Sequence, residues 1–274
     1  MAAWNRSKLD QVPDDPDDFK ATLVEHIDEL RTRIIRIVIL LMVGWVFGWF
    51  AQPKAYDFLN KLVTKQVTAP RPGHTPFDYK EVFSNATDAF MLKLKLSFML
   101  GLIVVAPFCI MQLWGFIKPG LKASERKPVV RLAPFSVLLF FMGAAFCFLI
   151  IPQAISWFAS YMEEFPGTAL YQEPGKMVFF ILKMELAFGL AFQLPLIVFL
   201  LGSLGILTPE TLLQYWRQSA VSIFIVSMII TPSNDPGSML MMAIPLCFLF
   251  MISVYLVKWT TKKRRAEEEA AREE

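Results

Sequence analysis

The sequence predicts an all-α membrane protein with six transmembrane helices, and three observations lead to that fold class. Hydrophobic residues make up 55% of the 274 residues, and the mean hydropathy of +0.47 is too high for an ordinary soluble domain. Several apolar runs approach the roughly 20 residues that a helix needs to cross a bilayer. The cysteines are odd in number and all lie within these runs, which argues against a disulfide framework: Cys109, Cys147 and Cys247.

The predicted spans follow one another along the chain with few charges inside them. Thr208, followed by Pro209 and Glu210, has the pattern of a helix N-cap and starts a short helix before the fifth span. That span is short, since about 15 residues at ~1.5 Å each rise only about 22 Å against a ~30 Å hydrocarbon core. We place the six spans at residues 34–51, 96–117, 132–151 (extendable to 159), 177–201, 216–230 and 239–257.

Polar segments flank the membrane domain, which we predict over residues 21–257. Residues 1–20 are rich in Asp and have the composition of a disordered tail. Residues 258–274 read as a charged cytoplasmic tail, in which a basic cluster precedes acidic residues. In the long first outer loop, 52–95, residues 68–76 look irregular, and a helix over 81–95 leads into the second span.

The distribution of Lys and Arg predicts that both termini are cytoplasmic. An even number of spans places the termini on one side, and cytoplasmic loops carry the excess of basic residues. The loop 118–131 is basic, whereas 152–176 has one Lys against three Glu and 231–238 has no basic residue. The predicted topology is therefore N-in, C-in.

The segment just before the first span mixes acids and bases, and two interpretations stay open. Arg31 and Arg33 suit the role of cytoplasmic anchors. Asp28 and Glu29 can pair with them along one helix, because Glu29 and Arg33 have the favourable i, i+4 order. Alternatively, two carboxylates at the mouth of a span form a site for a cationic ligand.

Glu125, in the loop 118–131, presents a similar choice. A solvated acid that pairs with a neighbouring base is the simpler interpretation, and such pairs contribute little to stability. The functional interpretation is a carboxylate at the inner face that accepts a guanidinium through two hydrogen bonds. Pro119-Gly120 favours a defined turn in this loop.

Two polar residues lie within the predicted fourth span. Glu185 follows about nine residues of mostly apolar sequence, where a carboxylate costs about 3 kcal/mol or more unless it is paired, neutral or shielded. Gln193 lies about 12 Å further along the helix axis. A polar stripe in a span favours a helix–helix or partner-subunit contact. The alternative is that residues 177–185 are still interfacial, with Lys183 reaching outward.

The motifs of several enzyme and pump classes are absent from the sequence. It contains no GxxxxGK[ST], HExxH or GxSxG, and its only histidines are His26 and His74. A nucleotide-driven pump, a zinc protease and a serine hydrolase are therefore unsupported. A transporter, a channel and a receptor for another membrane protein remain.

Four patterns, in order along the chain, resemble the TatC family, the signal-recognition core of the twin-arginine protein translocase. The first is H-x-x-E-L-R-x-R at 26–33, and the second begins A-P-x4-Q-x-W-x-F and ends in E-R over 106–126. F-G-x-x-F-x-x-P occupies 188–195 and T-P-x-x-D-P occupies 231–236. Each is weak alone, but together they cover most of the chain, and the six-span topology agrees with them.

The resemblance implies a function without catalysis or a cofactor. TatC proteins bind signal peptides with consecutive arginines and present folded proteins for transport across the bacterial inner membrane, driven by the proton-motive force. The resemblance also implies partners, TatA and TatB, self-association in a larger complex and no contact with nucleic acid. The twin-arginine site falls on Glu29 and Glu125, with Arg31, Gln112 and Phe116 on the same inner surface.

Two further positions follow from the resemblance. The outer acid of the family falls on Asp235, in an external cap shared with the first outer loop. The family often has a glutamate where this chain has Gln193, and here the acid stands at Glu185 instead. We therefore expect Glu185 and Gln193 to share a partner-subunit contact. The alternative function is a proton-coupled transporter of small solutes that uses Glu185.

Overall fold

Helices dominate the described part of the chain. The structure, a computed structural model, describes residues 16–69, 79–118, 123–165, 170–230 and 236–273, with most side chains described between 25 and 262. A 3-10 helix, Met162–Glu164, follows the third α-helix. The elements are α1 Pro16–Val67, β1 Tyr79–Glu81, α2 Asp88–Ile117, α3 Ala123–Tyr161, β2 Leu170–Gln172, α4 Lys176–Ala191, α5 Leu194–Ser203, α6 Pro209–Gln214, α7 Trp216–Ile230 and α8 Pro236–Glu273.

The prediction of a helical membrane fold is confirmed in its main feature. α2 ends at Ile117 and α7 covers the predicted fifth span. The short helix before it, α6, begins after Thr208, whose hydroxyl accepts a hydrogen bond from the Thr211 amide at 3.2 Å. Five described segments are long and apolar enough to cross a membrane, while α7 is shorter: Glu25–Val67, Asp88–Ile117, Leu132–Tyr161, Lys176–Ser203 and Met239–Trp259.

A two-stranded parallel sheet departs from the all-α prediction. β1 pairs with β2 in the register Tyr79 to Leu170 and Glu81 to Gln172, and the Val82 amide donates to the Gln172 carbonyl at 3.0 Å. The predicted helix over 81–95 therefore begins only at Asp88. Three-residue strands carry no periodicity that a sequence pattern can reveal, since they form only where tertiary structure brings the two loops together.

The first helix is much longer than its predicted span and occupies the start of the predicted outer loop. α1 continues through Pro53 to Val67. Leu59, Val63 and Val67 are buried at intervals of four residues, so one face of this extension packs on the bundle. Residues 52–67 of the predicted outer loop are therefore helical, with Pro53 inside the helix.

Both charged ends of the chain are helical where the structure describes them. α1 begins at Pro16, so the tail predicted as disordered over 1–20 includes helical residues from 16 onward; residues 1–15 lie outside the described part. α8 continues to Glu273 through the predicted charged tail. Glu, Lys, Arg and Ala dominate that tail, and all have high helix propensity.

Three clusters of buried residues hold the described helices together. The largest includes the end that carries the sheet, here called the strand end, where Val63, Leu96, Ile155 and Ile181 meet. A second cluster lies toward the opposite end and joins α2, α3 and α5 through residues that include Trp114. A third and smaller cluster joins α6 to α8.

Small residues bring α1 and α2 into backbone contact. A Cβ atom on Gly44 would lie 2.9 Å from the Gly101 carbonyl oxygen, and one on Gly48 would overlap the Ser97 carbonyl. Small residues at such a crossing let two helix backbones approach closely, which strengthens packing between membrane helices. This contact fixes the start of α1 beside the end of α2.

The predicted fourth span is two helices rather than one. α4 ends at Ala191 and α5 begins at Leu194, with the Gln193 amide donating to the Leu190 carbonyl at 3.0 Å in a tighter turn. Pro195 explains the break, because it has no N–H for the Ala191 carbonyl and its ring crowds the preceding turn.

A carboxylate at the strand end ties α1 to β1. Glu81 accepts hydrogen bonds from the Tyr56 hydroxyl at 2.7 Å, the Asn60 amide at 3.3 Å and the Tyr79 hydroxyl at 3.0 Å. Burial, followed by the hydrogen bond and charge of Glu81, raises the pKa of Tyr79 above its ordinary value. Both oxygens of Glu81 are thus occupied by neutral donors.

Gly48→Ala should lower the melting temperature of the full chain in detergent. The added methyl group meets the Ser97 carbonyl, a backbone atom that cannot turn aside, and overpacking of this kind costs about 1–3 kcal/mol. The matched control is Val43→Ala on the same helix, where the side chain is 62% exposed. Equal melting temperatures for the two variants would contradict a tight crossing at Gly48.

Glu81→Gln should destabilise the chain most below pH about 10. The pKa of Tyr79 is raised in the folded state. The protonated tyrosine therefore adds to the free energy of unfolding in full below its unfolded pKa, and this addition declines as the pH rises toward the folded pKa. The difference in melting temperature between wild type and variant should therefore narrow in alkaline buffer. Asp57→Asn, which breaks the exposed Asp57–Lys61 pair, should cause little change at any pH; a constant Glu81→Gln difference would refute the linkage.

Candidate functional site

The candidate site lies at the end of the bundle opposite the strand end, where the start of α1 meets the end of α2. His26 and Phe116 stack across the two helices with ring centroids 4.5 Å apart and an interplanar angle of 18°. Both side chains are half-buried. An aromatic pair therefore forms one wall of the site.

Glu29 and Arg33 form a short ion pair beside this wall. The Arg33 Nη2 atom lies 2.6 Å from Oε1 of Glu29, and Nε donates to the same oxygen at 3.0 Å. The Glu29 side chain is 28% exposed and that of Arg33 is 19% exposed. Within the described part of the chain, Oε2 of Glu29 accepts no hydrogen bond. The carboxylate is half occupied and still reaches the surface.

Arg33 also connects the carboxylate to α2. Its Nη1 atom donates to the Gln112 backbone carbonyl at 3.3 Å and to the Gln112 side-chain oxygen at 3.4 Å. The guanidinium lies against Gly115, where a Cβ atom would overlap it. One arginine thus holds Glu29 on α1 and Gln112 on α2 in a fixed relation.

The structure brings together three of the five residues predicted for signal-peptide binding. Glu29, Gln112 and Phe116 share this surface, and the i, i+4 pair of Glu29 with Arg33, one of the two interpretations that the sequence left open, is present. Arg31 is exposed and lies outside the cluster. The link made by Arg33 was missed; its spacing from Glu29 was visible, but its contact with α2 was not.

Two predicted site residues fall where the side chains are not described. α3 begins at Ala123, so Glu125 belongs to the first turn of a helix rather than to a loop, and its side chain lies outside the described residues. Asp235 lies in 231–235, also outside them. The role of Glu125 in signal-peptide binding and the role of Asp235 in the outer cap stay predictions.

The polar residues of the fourth span occupy different surroundings. Gln193 is only 7% exposed, and its amide donates to the Ser136 carbonyl of α3 at 2.9 Å, so its side chain is used within the chain. Glu185, on α4, is half-buried, and no described residue forms an ion pair with it. Lys183 turns instead toward the Phe179 ring, 4.7 Å from its centroid.

Long apolar helices with a half-exposed ion pair at one end of the bundle define a polytopic membrane protein with a polar interfacial site. Residues 25–245 match the family model for the Sec-independent protein translocase protein (TatC). The chain therefore belongs to the TatC family. The relatives are named as components of a protein translocase, which is a role in transport.

Known proteins are similar over nearly the whole chain. TatC of Azotobacter chroococcum is 34% identical over 94% of this chain and 96% of its own length. TatC of Carboxydothermus hydrogenoformans is 33% identical over 90% of this chain and 97% of its own. A crystal structure described as the twin arginine translocase receptor TatC has a TM-score of 0.73 at 28% identity, covering 86% of this chain and 99% of that one.

Proposed function

We propose that this protein is the receptor subunit of a twin-arginine translocase, which binds the signal peptides of folded proteins at the cytoplasmic face. The observation that carries the proposal is the Glu29 carboxylate, held at the surface with one oxygen unoccupied among the described residues. A peptide guanidinium can donate to that oxygen. Glu125, on the first turn of α3, would take the second arginine.

The proposed topology has six spans in the bacterial inner membrane, with both termini in the cytoplasm. α7 is the short fifth crossing. Support comes from the basic loop 118–131 and from the lack of basic residues in 231–238. This orientation puts Glu29 and α2's end on the cytoplasmic side, where an unprocessed signal peptide arrives.

The chemistry of the site favours arginine as the recognised residue. A guanidinium is planar, weakly hydrated and able to stack on aromatic rings, whereas an ammonium is a compact and strongly hydrated charge. His26, whose ring stacks on Phe116, stands three residues before Glu29 on α1 and so on a neighbouring position of the same helix face. The two rings offer a flat surface on which a guanidinium can rest while it donates to Glu29.

Glu29→Gln should weaken binding of a twin-arginine signal peptide by tenfold or more, about 1.4 kcal/mol, because a neutral amide cannot form an ion pair with the peptide guanidinium. The measurement is photocrosslinking of the peptide to the full chain in nanodiscs, beside a twin-lysine version that should crosslink weakly. Glu125→Gln should have a comparable effect.

The matched control is Asp28→Asn, which removes an exposed carboxylate next to Glu29. It should leave crosslinking unchanged. Equal crosslinking of the arginine and lysine peptides, or equal losses in Asp28→Asn and Glu29→Gln, would refute the proposed site. Uptake of small solutes by the chain alone in proteoliposomes would favour a transporter instead.

We also propose that Glu185 contacts a single-span partner of the TatA or TatB type. A half-buried carboxylate within a span, without an ion pair among the described residues, needs a hydrogen-bonding partner. A polar group on a neighbouring transmembrane helix supplies one. Gln193 already donates to Ser136 inside the chain. It would therefore affect the partner contact only indirectly, by stabilising the break between α4 and α5.

Glu185→Ala should reduce recovery of the partner subunit in a pull-down from membranes by several fold, an effect of roughly 1 kcal/mol. Gln193→Ala should reduce it less, because that side chain is buried within the chain. Recovery at the wild-type level with both residues replaced would exclude the contact. Phe179→Ala, on the same helix, controls for general damage to α4.

A further inference from the structure

The two oxygens of the Glu29 carboxylate have unequal surroundings. Both hydrogen bonds from Arg33 go to Oε1, at 2.6 Å and 3.0 Å, while Oε2 accepts none from the residues that the structure describes. A guanidinium that faced the carboxylate in the common bidentate manner would have engaged both oxygens. Arg33 instead approaches from one side and leaves the other oxygen for a second donor.

We infer that Arg33 is a positioning residue that sets the preference of this site for arginine over lysine. The inference rests on the proposed function and deepens it. Arg33 holds one oxygen of Glu29, neutralises much of its charge and presents the second oxygen in a fixed direction. The arriving side chain therefore meets a half-occupied, oriented acceptor rather than a bare carboxylate.

Contacts with α2 keep Arg33 in this place. Its third nitrogen, Nη1, donates to the backbone and side-chain oxygens of Gln112, and Gly115 leaves space for the guanidinium on the helix surface. Only 19% of the Arg33 side chain is exposed. An arginine held by four hydrogen bonds on two helices does not leave when a peptide arrives.

A fixed and nearly neutralised acceptor discriminates between the two cations. A lysine ammonium binds mainly through attraction to the charge of the carboxylate. When Arg33 already pairs with that carboxylate, the attraction is weaker and no longer offsets the cost of removing the water around the ammonium group. Arginine loses less hydration, stacks on the aromatic wall and needs only one well-directed oxygen. Without Arg33 the carboxylate would carry its full charge and could turn to meet an ammonium, so lysine would gain more than arginine.

Arg36 offers a matched comparison three residues away. It carries the same charge at the same end of α1, but it is exposed and makes no hydrogen bond or ion pair with Glu29 in the described structure. If only the local positive charge affected the preference for arginine peptides, the two arginines would be equivalent. If the orientation of Glu29 sets that preference, only the loss of Arg33 should change it.

The experiment compares Arg33→Gln with Arg36→Gln in the full chain reconstituted in nanodiscs. Fluorescence anisotropy gives the affinity for a labelled twin-arginine signal peptide and for the same peptide with both arginines changed to lysine. In Arg33→Gln we expect the ratio of the two affinities to fall by roughly tenfold, chiefly because the lysine peptide binds better. In Arg36→Gln the ratio should stay at the wild-type value.

Gly115→Ala provides a second test that keeps every charge. The added methyl group occupies the position of the guanidinium and should displace Arg33 from Glu29, so the ratio should fall in the same direction. This variant decides the matter if Arg33→Gln does not fold. A ratio that is unchanged in Arg33→Gln, or that falls equally in Arg36→Gln, would overturn the inference.

The wild-type measurement separates this inference from the proposed function. If the wild-type chain fails to prefer the arginine peptide, or if Glu29→Gln leaves that preference intact, the proposed binding site itself is wrong. If wild type prefers arginine and Glu29 is required, but Arg33→Gln keeps the full preference, only the part given to Arg33 is wrong.

Discussion

The close crossing of α1 and α2 is the constraint on which the candidate site depends. Gly44 and Gly48 on α1 approach Gly101 and the Ser97 carbonyl of α2 with no side chain between them. Helices that cross so closely are still near each other about three turns further on, so the start of α1 stays within reach of the end of α2. The hydrogen bonds from Arg33 to Gln112 of α2 form only while the two helices stay this close.

Two carboxylates at opposite ends of the bundle show what a structural and a binding acid look like in the same chain. Glu81 accepts from two tyrosines and an asparagine through both of its oxygens, and so ties α1 to β1. Among the described residues, Glu29 accepts hydrogen bonds at one oxygen only, from the charged Arg33, and remains partly exposed. The difference lies in how many carboxylate oxygens accept hydrogen bonds, since the residue type is the same and both side chains are half-buried.

The fourth span combines two polar residues with separate purposes. Gln193 lies at the break that Pro195 imposes, and its bond to Ser136 fastens α3 where the helix ladder is interrupted. Glu185 belongs to the straight part of α4 and has no ion pair within the described residues. The Gln193 amide nitrogen is used inside the chain, although its buried Oε1 atom has no hydrogen-bond partner among the described residues. The half-buried Glu185 carboxylate leaves a need that a neighbouring helix in the membrane can meet.

The sequence by itself determined the class, the apolar helices and the Glu29–Arg33 spacing, because length, hydropathy and i, i+4 order are local properties. It also carried the four patterns of the family. Only the tertiary structure decided that α1 extends past Pro53, that Tyr79 and Glu81 belong to a strand, and that Arg33 reaches α2. These depend on contacts between residues far apart in the chain, and no local pattern encodes such a contact when each partner alone looks ordinary.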